Sequence, residues 1–243
     1  MNGRRPARDR VRYGTFTRRP LLPPRLGGVV GCGVVLLLFL AGCSSGLLGT
    51  TTGSGNLRTE NRTVSGFTAV QLSGIGDVQV QQGGSDSLAV SAEDNLLPLL
   101  TSDVVDNVLR LGVKDGTRID NRQLITFQVT VRQLTGLDVA GSGSQKATNV
   151  KTSSLQVRVT GSASVTAAGT ADSQDVTMSG SGVYNGSGLT TMTTKVSSTG
   201  SGSADVAVRD RLEVSITGSG TVSYSGSPQV TQSVTGSGSL QKK

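Results

Sequence analysis

From residue 64 onward, apolar and polar residues alternate with a period of two. Between Leu155 and Ala167 the odd positions read Leu155, Val157, Val159, Gly161, Ala163, Val165 and Ala167, and the even positions are Gln, Arg, Thr or Ser. This is the pattern of a β-strand with one buried face. The same alternation runs through Leu137, Val139, Gly141 and Gly143, through Leu212, Val214, Ile216, Gly218, Gly220, Val222 and Tyr224, and through Val230, Val234, Gly236, Gly238 and Leu240. Ile125–Val131 and Leu109, Leu111, Val113 predict further strands, with Asp115-Gly116 as a turn between them. Only Asp94–Leu100 has the composition of a short helical turn.

The alternation is punctuated at a nearly fixed interval. Gly-Ser-Gly or Gly-Ser-Ala starts at Gly141, Gly161, Gly180, Gly200, Gly218 and Gly236, so successive starts differ by 20, 19, 20, 18 and 18. A related Gly74-Ile75-Gly76 lies in an alternating stretch from Val70 to Val80. Such a period is the mark of a solenoid. The parity places the glycines on the inner face and the serine outside, so each triplet predicts a corner too tight for an inner side chain. The predicted fold is all-β: a parallel β-helix of about 18–20 residues per coil. A β-sandwich would not require this strict period.

Residues 44–63, SSGLLGTTTGSGNLRTENRT, lack apolar periodicity and are rich in Gly, Ser and Thr. They predict a flexible tether. The segment before it is different again. Eight Arg and one acid, Asp9, precede an apolar run from Leu26 to Ala41, which ends at Gly42-Cys43-Ser44-Ser45. That run is shorter than the ~20 residues a spanning helix needs. A basic stretch followed by a short apolar run is the order of a signal peptide. Leu40-Ala41-Gly42-Cys43 resembles a bacterial lipobox. In that reading, residues 1–42 are the signal peptide, the Cys43 thiol accepts a diacylglyceryl group, and the small residues let a peptidase reach the bond before it. The anchor then holds the protein on the cell membrane, facing the extracytoplasmic side. Thr17-Arg18-Arg19-Pro20-Leu21-Leu22 partly resembles a twin-arginine export signal, which leaves the export route open.

Charge changes meaning in this light. The 243-residue chain carries 23 Lys+Arg against 16 Asp+Glu, a formal +7. With the leader set aside, residues 43–243 carry 15 of each. The basic excess therefore gives no reason to expect a nucleic-acid partner. The chain has no His, which excludes a His general base, a His metal ligand and a Ser-His-Asp triad. Cys32 lies in the apolar run, so Cys43 would be the one cysteine of the mature chain, with no disulfide. No cofactor or metal is expected.

The order Phe67-Thr68-Ala69-Val70, Gly74-Ile75-Gly76-Asp77-Val78, then Leu134-Thr135-Gly136-Leu137-Asp138-Val139-Ala140-Gly141-Ser142-Gly143 and repeated Gly-Ser-Gly resembles the bacterial head GIN domain family (DUF2807). Val131-Arg132-Gln133 departs from it where the family pattern has a Pro. The resemblance implies a right-handed parallel β-helix, here over residues 64–240, on a secreted or lipid-anchored protein named for adhesion. It carries over no catalytic residues.

Two functional readings follow. In the first, the head is an adhesion, binding or structural module. The serines Ser142, Ser162, Ser181, Ser201, Ser219 and Ser237 form an outward ladder beside Thr160, Ser179, Thr199, Thr217 and Thr235. Such a face can hydrogen-bond a cell-envelope polysaccharide or protein. It also serves plain solubility. In the second, the head is a polysaccharide-processing enzyme using paired carboxylates, Asp172 with Asp175 or Asp205 with Asp210 and Glu213. Local charge pairing in Arg209-Asp210-Arg211 and a head with so few aromatic residues weigh against it. A calcium nonapeptide would need Asp after the glycines, and a phosphate loop would need a following helix. Asp follows a glycine pair directly only at Asp77, and strands rather than helices follow the triplets, so neither is expected.

Overall fold

The computed structural model describes residues 49–243. The leader 1–42, the lipobox and Cys43 all lie outside them. The strands are β1 (Thr50–Thr52), β2 (Leu57–Arg62), β3 (Ala69–Gly74), β4 (Asp77–Gln82), β5 (Ser87–Glu93), β6 (Leu100–Val105), β7 (Val108–Val113), β8 (Arg118–Asp120) and β9 (Thr126–Val131). They continue with β10 (Gly136–Gly141), β11 (Ser144–Gly161), β12 (Ser164–Gly180), β13 (Val183–Gly200), β14 (Ser203–Gly218), β15 (Thr221–Ser225), β16 (Gln229–Gly236) and β17 (Ser239–Lys242). The one helical element among the described residues is a 3-10 turn at Leu97–Leu99, inside the Asp94–Leu100 stretch.

The chain winds into a β-solenoid of about five turns. Its first wall stacks β7, β3 and β10, the C-terminal halves of β11 to β14, and β16, all in parallel. Its second wall stacks β9, β4, the N-terminal parts of β11 to β14, β15 and β17, again in parallel. A short third ladder closes each coil: Val150–Thr152, Gly169–Ala171, Leu189–Thr191 and Ala207–Val208. The long strands bend between the second wall and this third ladder, where the register shifts.

The Gly-Ser-Gly triplets are the corners between the first and second walls. Gly74, Gly141, Gly161, Gly180, Gly200, Gly218 and Gly236 stand one above another. Each has positive φ, +111° at Gly180. The next residue's N–H donates to the glycine carbonyl one coil below, at 2.9 Å for Ser181 to Gly161 and for Ser201 to Gly180, and at the last corner the Gly238 N–H donates to Gly218 instead. A Cβ built on Gly180 would sit 2.6 Å from the Gly161 carbonyl oxygen. The two glycines of a triplet therefore differ from the parity reading. The first lies at the outer bend against the backbone beneath, while the second (Gly143, Ala163, Gly182, Gly202, Gly220) is buried.

Inside, like positions stack. One column of the first wall runs Leu137, Val157, Val176, Val196 and Val214, all buried, and ends in Gln232. Each fully buried Val or Leu contributes about 2 kcal/mol of transfer free energy. The narrow interior also holds polar groups. Gln174 and Thr194 face one another in adjacent coils, the Gln174 amide donates to the Tyr184 hydroxyl, and Thr191 bonds Thr194 at 2.7 Å. Burial pushes the Tyr184 hydroxyl far above its ordinary range.

The N-terminal end is built differently. Gly74 and Gly141 stack directly although a long insert separates them in sequence. The insert folds as a cap with antiparallel pairs: β2 with β5, β5 with β9, and β6 with β7. Asp106 and Asn107, both at positive φ, form the two-residue turn of the β6–β7 hairpin.

Part of the stretch read as a flexible tether over 43–63 is structured. β1 pairs with β8, and β2 lies along β5. Residues 43–48 lie outside the described residues. Polar anchors do the holding. The buried Glu93 carboxylate accepts from the Gly55 N–H at 2.7 Å and the Arg122 N–H at 2.9 Å, and Gly53 packs against it with no room for a Cβ. The Arg62 guanidinium donates to the Leu97 and Leu100 carbonyls, each at 2.8 Å. These strands put no apolar side chain into the core, so hydrophobic periodicity does not reveal them.

Substitutions along the glycine stack should grade with position. Gly180→Ala meets both the positive φ and the backbone beneath, and is expected to cost about 3 kcal/mol. Gly74→Ala meets the φ cost alone, since nothing lies within 4 Å of its Cβ, and should cost about 1–2 kcal/mol. Denaturant unfolding of the two variants measures the difference; equal losses would refute the stacking account.

Candidate functional site

The first wall turns a flat face to solvent, and the register sorts its side chains into columns. One column runs Asp138, Arg158, Thr177, Ser197, Ser215 and Ser233. The next runs Ala140, Thr160, Ser179, Thr199, Thr217 and Thr235. The corner beside them carries the six predicted serines, Ser142, Ser162, Ser181, Ser201, Ser219 and Ser237, all exposed. Rungs repeat at ~4.8 Å and the columns stand about 7 Å apart. In the upper four coils two hydroxyls flank one residue: Thr177 and Ser179, Ser197 and Thr199, Ser215 and Thr217, Ser233 and Thr235; the residue between is buried in the first three and is the exposed Val234 in the last. Two ion pairs lie on the wall. Lys195 lies 3.5 Å from Glu213, and Arg158 lies 3.9 Å from Asp138. Exposed pairs of this kind add little stability.

The lower end of the wall is not flat. Ala69 and Gly136 occupy successive rungs of the outermost column, with Val108 beneath and Gln156 and Asp175 above. The Gly136 position has space only because it lacks a Cβ, which would come within 2.9 Å of the Ala69 Cβ. The result is a hollow of ≈ 280 Å³, edged by Gln71, Asp138, Gln156, Arg158, Asp175 and Thr177. Asp138 is half-buried here. Burial pushes its carboxyl above the ordinary 3.8, and the Arg158 guanidinium only partly offsets this.

The carboxylate pairs of the enzyme reading do not come together. Asp175 edges this hollow, whereas Asp172 lines a separate groove of ≈ 380 Å³ on the third ladder with Lys151, Met192 and Arg209. Asp205 stands on the second wall, paired with Lys243, and Glu213 stands on the first, paired with Lys195. Asp210 falls at the bend between the third ladder and the first wall. The structure instead places Asp138 and Asp175 around one hollow. Their distance along the sequence hides this, and only the coil register, counted from Gly136 through Gln156 to Asp175, puts them two rungs apart in neighbouring columns. Among the described residues, no three His, Cys, Asp or Glu side chains gather as a metal set, and no helix is long and apolar enough to cross a membrane.

The Asp138 carboxyl binds its proton more readily in the folded chain than in the unfolded one. It therefore favours the fold below 3.8 and loses that contribution as pH rises through the folded value. At pH 7 the ionised group is a burden. Asp138→Asn is expected to raise Tm by a few degrees at pH 7, with the gain fading as pH falls toward 3.8. Thermal melts across that range test it, and a lower Tm for the variant at pH 7 would contradict the sign.

The fold has solved counterparts. A "putative adhesin" from Bacteroides fragilis superposes with a TM-score of 0.64 at 21% identity, over 79% of this chain and 99% of that one. A "putative adhesin" from Parabacteroides distasonis gives 0.52 at 20% identity, over 80% and 100%. A "putative lipid binding protein" from the same species gives 0.51 at 20% identity, over 80% and 100%. At these identities the likeness concerns the fold. No curated protein matches the chain. The model of DUF2807, described as "Putative auto-transporter adhesin, head GIN domain", matches residues 66–228. That match spans most of the solenoid and both edges of the hollow, and the chain belongs to this family.

Proposed function

We propose that the protein is a cell-envelope adhesion module: a solenoid held on the extracytoplasmic side of the membrane by lipid on Cys43, presenting the outer first wall to a polysaccharide or protein of the envelope. One observation carries the reading. The wall repeats paired hydroxyls over four coils, beside an exposed Lys195–Glu213 pair, so it offers hydrogen bonds at fixed spacing. Strands hold these groups in register, which lowers the entropy cost of engaging several at once. The family's adhesin description and the similarly described structures favour the same class of role. The lipobox-like Leu40-Ala41-Gly42-Cys43 supports the anchor.

Two measurements test it. Cys43→Ala is expected to move the protein from the membrane fraction to the soluble fraction, and a variant that stays membrane-bound would count against lipid anchoring. The detergent-solubilised full chain is expected to bind isolated envelope material. Thr199→Lys with Thr217→Lys, both exposed on the wall, should weaken that binding by about tenfold while leaving Tm nearly unchanged. Absence of binding to any envelope component would sink the proposal.

A further inference from the structure

We propose that the hollow at the lower end of the first wall binds one ring of a neutral saccharide, with Asp138, Gln156, Gln71 and Arg158 as its polar contacts. This rests on the reading of the wall as a binding surface and names the ligand class for one part of it.

The shape comes from the register. Two neighbouring columns meet here, Ala69, Gly136, Gln156 and Asp175 in one and Gln71, Asp138, Arg158 and Thr177 in the other. Where every higher rung of the first column carries a long or branched side chain, Ala69 and Gly136 leave the floor bare. The ≈ 280 Å³ so opened suits a single ring rather than a larger ligand.

The chemistry of the edge narrows the ligand further. Carboxylate, guanidinium and carboxamide groups are planar and present two or more hydrogen-bonding atoms side by side. Neighbouring hydroxyls on a sugar ring present donors and acceptors at a matching separation. The bare floor, with Ala69 and Val108 as its outward apolar side chains, can take the ring's C–H face. Asp138 and Asp175 edge the hollow with Arg158, while Lys195 lies one rung above Asp175 and Arg110 one rung below Gln71, so no cluster of cations is gathered there to hold a phosphate, sulfate or uronate group. Arg158 stands 3.9 Å from the Asp138 carboxylate, beyond hydrogen-bond range. Asp138 is thus a half-buried carboxylate without a close partner, and a ligand hydroxyl would supply one. Above the hollow, the hydroxyl columns continue at a rung spacing of ~4.8 Å, close to the length of one sugar unit. A chain seated in the hollow could therefore run up the wall with one unit per coil.

The experiment presents the detergent-solubilised full chain to an array of neutral, uronate-bearing and sulfated oligosaccharides, followed by titration with the strongest neutral ligand. Neutral binding is expected, with Asp138→Asn and Gln156→Ala each weakening it by about tenfold or more. Thermal melting of both variants checks that they remain folded. Preference for acidic oligosaccharides would overturn the assignment. So would neutral binding that neither variant changes, or an array with no ligand at all. If no saccharide binds but envelope material is still captured, the hollow is wrong and the adhesion reading stands. If envelope material is not captured either, both fail.

Discussion

Every coil has to turn between its first and second walls within one Gly-Ser-Gly triplet, and it does so by resting one backbone on another. The carbonyl of each corner glycine accepts an N–H from the coil above, and the space between successive corners is too small for a Cβ. This vertical contact fixes the register of the stack. Once Gly161 sits over Gly141 and Gly180 over Gly161, the residues before and after the corners have no freedom to slip. Because side chains alternate with period two, the same register sends valines into the interior and hydroxyls out. The core columns and the surface columns are two consequences of one constraint.

Much of this is legible in the sequence because the constraint repeats. The triplets recur at a nearly constant interval and identify coils, and the alternation around them identifies faces. What is not legible depends on contacts that do not repeat. The β1 and β2 strands carry Thr, Arg, Glu and Asn, and their attachment is to Glu93, Leu97 and Leu100, far along the chain. A composition rich in Gly, Ser and Thr fits a tether and a polar edge strand equally well. The antiparallel pairs of the cap escape for a related reason: β2–β5 and β5–β9 join distant segments outside the repeat, and the Asp106-Asn107 turn of the β6–β7 hairpin carries no coil period.

The candidate site divides in the same way. The serine ladder and the hydroxyl column beside it follow from the period alone. The hollow does not, because it is a defect in the period. Gly136 lies in a strand, outside any Gly-Ser-Gly corner, and reads from sequence as a neutral interruption. Its effect emerges only when Ala69, on the far side of the cap insert in sequence, is found directly beneath it. The carboxylates suffer the reverse fate. Asp172 and Asp175 are close in sequence, yet the chain bends between them from the third ladder to the first wall, and they face different grooves.

These two kinds of feature suit different tasks. A periodic, hydroxyl-rich wall offers many equivalent contacts, so its binding depends on how long a partner lies along it. A single irregular hollow offers contacts that occur once, so it can set position and direction. Asp138 shows the expected tension at such a place. Burial disfavours its charge, Arg158 is too far to form a hydrogen bond, and a larger residue than Gly136 would have closed the hollow. Elsewhere on the same wall, Lys195 and Glu213 pair on an open surface where their charges stay hydrated. A solenoid needs no carboxylate at Asp138 to stack its coils, since Thr177, Ser197, Ser215 and Ser233 fill the same column without one. The carboxylate whose charge burial disfavours is therefore the one whose presence calls for a partner outside the chain.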